Sequence, residues 1–120
     1  MQDIKIFAFA DEAATDIEGQ IKALKRNGLD GLEIRGVDGQ NVSDITLNKA
    51  KEVKAKLDCE GLSVWSIGSP LGKIKLTDDI NAHIELTKHV CELANILGTP
   101  RIRVFSFFVP DTTNIAPYRT

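Results

Sequence analysis

The stretch Gly28-Leu29-Asp30-Gly31-Leu32-Glu33-Ile34-Arg35 decides the fold. Its first glycine follows a helical pattern and suits the left-handed position just past a helix end, where the missing Cβ avoids a clash. From Gly31 the period changes to two, so Leu32 and Ile34 fall on one face of a strand and Glu33 and Arg35 on the other. A strand covered by helices on both faces, as in an open doubly wound sheet, tends to be apolar throughout. One apolar and one charged face instead fits the wall of a parallel β/α barrel, with helices outside and the barrel interior opposite them.

The same joint recurs along the chain. Glu60-Gly61-Leu62 and Leu97-Gly98-Thr99 repeat it, and the three glycines lie 33 and 37 residues apart, the size of one strand-plus-helix unit with its loops. Strands are predicted at residues 4–9, 31–35, 62–67 and 102–107. Helix one opens on Thr15-Asp16-Ile17-Glu18, a capping box with Thr15 as the cap, and presents Ile17, Ile21 and Leu24 on one face. Helix two starts near Thr46, with Leu47, Ala50, Val53 and Leu57 at helical spacing and lysines outside. Helix three spans residues 78–97, with Asp78 and Asp79 at its positive end and Ile80, Ile84, Val90, Cys91, Ala94 and Leu97 along one side.

Strand four repeats the alternation of strand two, with Ile102 and Val104 toward helices and Arg101, Arg103 and Phe105 toward the interior. Every aromatic residue falls in a strand or in the tail: Phe7, Phe9, Trp65, Phe105, Phe107, Phe108 and Tyr118. Strand–helix alternation with such connections forces parallel strands and right-handed crossovers, so the fold class is α/β. A complete barrel takes about 250 residues. The 120 residues therefore make one unit, roughly half of a barrel with four strands and three helices, and residues 110–120 read as a loop after strand four with no helix following.

Composition bounds the function. The chain is 42% hydrophobic and 27% charged with a net charge of -2, ordinary for one globular unit, and it has no run of like charge to recruit nucleic acid or anionic lipid. No leader pattern and no membrane-length apolar run occur, which makes cytoplasmic the expected location. Cys59 and Cys91 are too sparse for a disulfide framework. His83 and His89 are six apart on one helix, which denies them a common metal. Dinucleotide, phosphate-loop and Cys-x-x-Cys motifs are absent.

In barrels the site sits where strands pass into loops at their carboxyl ends. Here those residues are Phe9-Ala10-Asp11-Glu12, Glu33-Ile34-Arg35-Gly36, Trp65-Ser66-Ile67-Gly68-Ser69-Pro70 and Phe105-Ser106-Phe107-Phe108. Carboxylates, a guanidinium, hydroxyls and stacking surfaces suit a sugar, whose hydroxyls need polar partners and whose ring faces need flat apolar ones. Glu33 and Arg35 are the leading candidates: one for hydrogen bonding or accepting a proton from a hydroxyl, the other for holding an anionic group or fixing the glutamate. A structural Glu33–Arg35 pair is the alternative. Trp65 and Phe9 could stack on a sugar or serve the core, Ser66, Ser69 and Ser106 are substrate-binding candidates that could equally close turns, and Asp11 and Glu12 read as solvated loop acids.

Phe7-Ala8-Phe9-Ala10-Asp11-Glu12, residues 28–35 and Trp65-Ser66-Ile67-Gly68-Ser69-Pro70 resemble the opening units of sugar phosphate isomerase/epimerase proteins, which are xylose isomerase-like TIM barrels. The resemblance runs over essentially the whole chain. It implies a metal-dependent enzyme that moves a proton between neighbouring sugar carbons, with a divalent cation held by Glu, Asp, His and Glu from strands five to eight. None of those strands is expected here, so no metal ligand transfers to this chain and it is expected to be inactive alone. Endonuclease IV-like repair enzymes are related, but their histidines at the ends of strands three and four are replaced here by Ser66 to Pro70 and Ser106-Phe107. Two further readings stand beside the isomerase. A half barrel with unpaired strand edges and an open aromatic face could self-associate or bind sugar without catalysis. A response-regulator domain is disfavoured, because Trp65-Ser66-Ile67-Gly68 has no aspartate to accept phosphate.

Overall fold

A computed structural model describes residues 3–109 and 116–118. Its strands and helices are β1 Phe7–Ala8, α1 Ile17–Arg26, β2 Gly31–Ile34, β3 Gly36–Val37, β4 Gln40–Asn41, α2 Leu47–Cys59, β5 Ser63–Gly68, α3 Ile80–Leu97 and β6 Ile102–Arg103. The main sheet is parallel, in the order β1-β2-β5-β6. Strands that follow one another in space as they do in sequence, joined by right-handed crossovers, put all three helices on the same face. A doubly wound sheet reverses its strand order to cover both faces. The arrangement is thus a partial barrel wall, as the two-faced pattern of Leu32-Glu33-Ile34-Arg35 predicts.

Between sheet and helices lies one core. Leu32, Ile34, Val64 and Ile67 from the strands meet Ile17, Ile21 and Leu24 of α1, Ala50, Val53 and Leu57 of α2, and Val90, Leu93, Ala94 and Leu97 of α3. At Gly31 the neighbouring strand leaves no room for a side chain: a Cβ there would lie 1.9 Å from the Ser63 carbonyl oxygen. The three repeated glycines all have positive φ, 67° at Gly28, 68° at Gly61 and 74° at Gly98, as the helix-end reading requires.

Several expectations are corrected. The α1 cap is Asp16, not Thr15; its carboxylate accepts from the Gly19 N–H at 2.8 Å. A second carboxylate, Asp38, accepts from the Ile17 N–H at 2.9 Å, so two anions meet the positive end of the helix and the Thr15 hydroxyl is not needed. Thr46 caps α2 as expected. Strand one is shorter than residues 4–9, and Ile4 and Ile6 are exposed. Strand four ends at Arg103, and Val104, expected against helices, is 63% exposed.

Helix α3 starts at Ile80, capped by Asp79, and buries only its carboxyl-terminal half. Its 18 residues extend over about 27 Å, more than the roughly 20 Å of the six-residue β5. Ile80 and Ile84 therefore stay half-exposed, and Cys91 faces solvent with Cys59. The β3–β4 hairpin is unanticipated. Its turn, Asp38-Gly39, has φ of 50° and 81°, the pair of positive values that a two-residue type I′ turn demands and that Asp-Gly supplies. The expectation of a helix-free loop over residues 110–120 falls mostly outside the described residues; within it, Ala116–Tyr118 form a single 3-10 turn. Among the described residues no helix is long and apolar enough to cross a membrane.

Candidate functional site

The face of the sheet turned away from the helices carries the chemistry. In-register partners on parallel strands point the same way, so Glu33 stands beside Ser66, and Arg103 beside Gly68. A bulge on β5 lies between these registers: Leu32 pairs with Val64 and Glu33 with Ser66, which leaves Trp65 as the extra residue. The Trp65 ring stacks on Phe7 with centroids 5.2 Å apart.

Lys5, Phe7, Ala8, Phe9, Glu33 and Trp65 line an open hollow of about 530 Å³ on this face. Glu33 is half-buried, and its carboxylate makes no hydrogen bond or ion pair among the described residues. Guanidinium groups lie over aromatic rings of this face, two of which, Phe9 and Trp65, line the hollow. Arg101 lies 3.5 Å over the Trp65 ring, Arg35 lies 4.5 Å over Phe9, and Arg103 sits between Phe105 at 4.8 Å and Phe9 at 5.9 Å.

Arg35 does not pair with Glu33. It forms a fork with Asp11, Nε to Oδ2 at 2.8 Å and one terminal nitrogen to Oδ1 at 3.0 Å, and it reaches Glu12 at 3.3 Å. The hydrogen bond to Asp11 is the main reason the guanidinium is held above its ordinary pKa, with Glu12 adding less. Asp11 is thus a fixed, largely covered partner at the strand end, contrary to its reading as a solvated loop acid; Glu12 is exposed, as that reading has it.

The remaining predicted residues separate. Ser66 is buried beside Glu33. Ser69 is fully buried in a structural role, its hydroxyl donating to the Arg103 carbonyl at 2.5 Å and accepting from the Leu71 N–H at 3.2 Å. Ser106 is exposed without a hydrogen bond among the described residues. Neither histidine joins the site. His83 Nε2 accepts from the Gly72 N–H at 2.8 Å, and His89 Nε2 donates to the Ile45 carbonyl at 2.9 Å, so each ties α3 to a neighbouring loop. Arg101 and Arg103 are legible in the sequence as inward residues of strand four, yet their partners, set by the bulge at Trp65 and the turn at Ser69, are not.

Two solved structures share this arrangement. One is the probable 3-DHS dehydratase AsbF of Bacillus anthracis, 20% identical with a TM-score of 0.66 over 85% of this chain and 38% of that one. The other is the 3-keto-D-glucoside 4-epimerase YcjR of E. coli, 21% identical with a TM-score of 0.63 over 98% of this chain and 44% of that one. The likeness is one of fold, and the chain spans less than half the length of either protein. No family model and no curated protein matches the sequence.

Proposed function

We propose that this chain supplies the first half of a barrel enzyme that isomerises or epimerises a small sugar or sugar phosphate, and that its share is to hold the substrate. The observation that carries the reading is Glu33, a carboxylate without a partner among the described residues, facing a hollow walled by Phe7, Phe9 and Trp65. The carboxylate can accept a hydrogen bond or a proton from a hydroxyl, and the rings offer flat apolar faces to a sugar. The sequence resemblance supports the same class, as does the fold shared with an epimerase of a keto-glucoside and a probable dehydratase.

The resemblance also implies a divalent cation. Among the described residues no three His, Cys, Asp or Glu side chains lie close enough to hold one, so these side chains do not fit that group and no step is routed through it. On this reading the isolated chain binds substrate without turning it over. A cytoplasmic setting belongs to the proposal, supported by two exposed thiols that a reducing compartment keeps free.

Trp65, the single tryptophan, reports on the hollow directly. Titrating the chain with aldoses, ketoses and their phosphates should change its emission saturably, and Glu33→Gln should weaken the response by about tenfold. Unchanged emission with every sugar, or equal binding by the variant, would overturn the reading.

A second reading is favoured by exposed Ile4, Ile6 and Phe108 near the two sheet edges: the inner face and edges are covered by another copy of the chain. Sedimentation equilibrium checks it, since a monomer at all concentrations sinks the self-associating form.

A further inference from the structure

We propose that Arg103 is the anchor of an oxyanion subsite on the inner face, taking the phosphate or carboxylate group of the substrate. The inference deepens the sugar-binding reading and rests on it only for the nature of the molecule that carries the anion.

Arg35 and Arg103 form an internal comparison. Both guanidinium groups lie over Phe9, both belong to residues that are partly buried, and both stand at the carboxyl end of the sheet. Arg35 is answered by two carboxylates. Arg103 has none among the described residues: one terminal nitrogen donates to the Ser69 carbonyl at 3.3 Å, and its Nε is sealed from solvent without a hydrogen-bond partner. An arginine has five N–H donors in a planar fork suited to a carboxylate or phosphate, so most of this fork is unused. Two ring contacts, at Phe105 and Phe9, recover only part of the hydration that a partly buried cation gives up.

The group is also held in place. Ser69 is fully buried; its hydroxyl donates to the Arg103 main-chain carbonyl and its own carbonyl accepts from the guanidinium, which the rings of Phe9 and Phe105 flank. A fixed cation with spare donors, beside a hollow that contains an uncommitted Glu33, describes a substrate with hydroxyls at one end and an anion at the other. Glu33 would repel that anion, which sets the direction in which such a molecule lies.

Inorganic phosphate tests the subsite without any sugar or turnover. Proton–nitrogen correlation spectra of the arginine Nε–H groups are recorded as phosphate replaces chloride at constant ionic strength, with acetate as the carboxylate arm. The Arg103 Nε–H resonance should shift saturably in both arms. Arg103→Gln should weaken the phosphate response of neighbouring Ser69 and Phe105 amides by about tenfold, whereas Lys51→Gln, the same charge change on the far helix face, should not.

Shifts that fail to saturate, or that Lys51→Gln reduces equally, would overturn the subsite. If Arg103→Gln does not fold, the saturation or indifference of the wild-type Arg103 resonance decides alone. Phosphate binding at Arg103 with sugar binding indifferent to Glu33→Gln would sink the sugar reading and leave the subsite standing; the reverse pattern would sink the subsite only.

Discussion

On the helix side of the sheet Leu32, Ile34, Val64 and Ile67 are sealed against three helices, whereas on the inner side Phe9, Trp65 and Phe105 carry guanidinium groups and, with Phe7, stay partly open. The packed side completes its interactions within this chain, and its residue types follow from burial alone. The inner side keeps charges that the described residues do not satisfy. Stability and binding are therefore expected to separate by face, and substitutions can break that separation or sharpen it.

The largest expected effect is in the packed layer. Leu32 is fully buried, so Leu32→Ala should cost about 2–5 kcal/mol through lost burial and the cavity left behind. Trp65, 43% exposed in the hollow, should tolerate leucine for about 1 kcal/mol. Urea unfolding followed by far-ultraviolet circular dichroism compares the two. A Trp65→Leu loss as large as that of Leu32→Ala would mean that the inner face is core as well.

The same contrast governs how much of the molecule is legible in its sequence. Leu32, Ile34, Ala50, Val53 and Leu57 are legible because burial against helices imposes a local period, and Thr46 because a cap is local too. The Asp16 cap of α1 is just as local, its carboxylate accepting from Gly19 three residues on; what the local sequence does not show is the second anion at that helix end, Asp38, which reaches Ile17 from a hairpin 21 residues away. That hairpin has a local signal, Asp38-Gly39. In the site, the inward set Glu33, Arg35, Arg101 and Arg103 follows from alternation. The pairing of Arg35 with Asp11 rather than Glu33 is a matter of loop geometry, and the placing of Ser66 beside Glu33 depends on a bulge that no alternating pattern foretells.

Asp38 gives the next largest effect and shows that polar groups bordering the packed side are also answered within the chain. Besides the Ile17 N–H, its carboxylate takes the Lys49 ammonium at 2.5 Å. The Lys49 hydrogen bond first, and the Ile17 amide second, hold its pKa below the ordinary 3.8. A depressed folded-state value contributes stability that is present above 3.8 and is lost as pH falls toward the lowered value. Lys49 is raised above its ordinary 10.5 by the same partner, so its share is present below 10.5 and is lost only as pH rises through the raised value. Asparagine tolerates the positive φ of 50° at this position. Asp38→Asn should therefore cost about 1–2 kcal/mol at neutral pH and flatten the acid limb of the stability curve, checked by thermal unfolding across the acid range. An acid limb identical to that of the wild type would remove Asp38 from the account.

Asp11→Asn probes a charge on the inner face, the Arg35 guanidinium, that is satisfied within the chain. With Arg35 34% and Asp11 19% exposed at their side chains, the fork should be worth only about 1 kcal/mol. Its removal also leaves a second guanidinium without full compensation near Arg103, so phosphate affinity should rise while stability falls. A variant that loses stability without gaining phosphate affinity would show the two arginines to be electrostatically independent.

Glu33→Gln is expected to have the smallest effect on stability and for that reason is the sharpest comparison of the two faces. A half-buried carboxylate without a partner among the described residues contributes no interaction that the amide would forfeit, and neutralising it removes a desolvated charge. Unfolding free energies should agree within about 0.5 kcal/mol, with any difference in favour of the variant. If Glu33 is there for a ligand, the sugar-induced change in Trp65 emission should weaken in the same protein whose stability is untouched. A clear loss of stability would instead give Glu33 a structural partner and make the inner face more like the packed one.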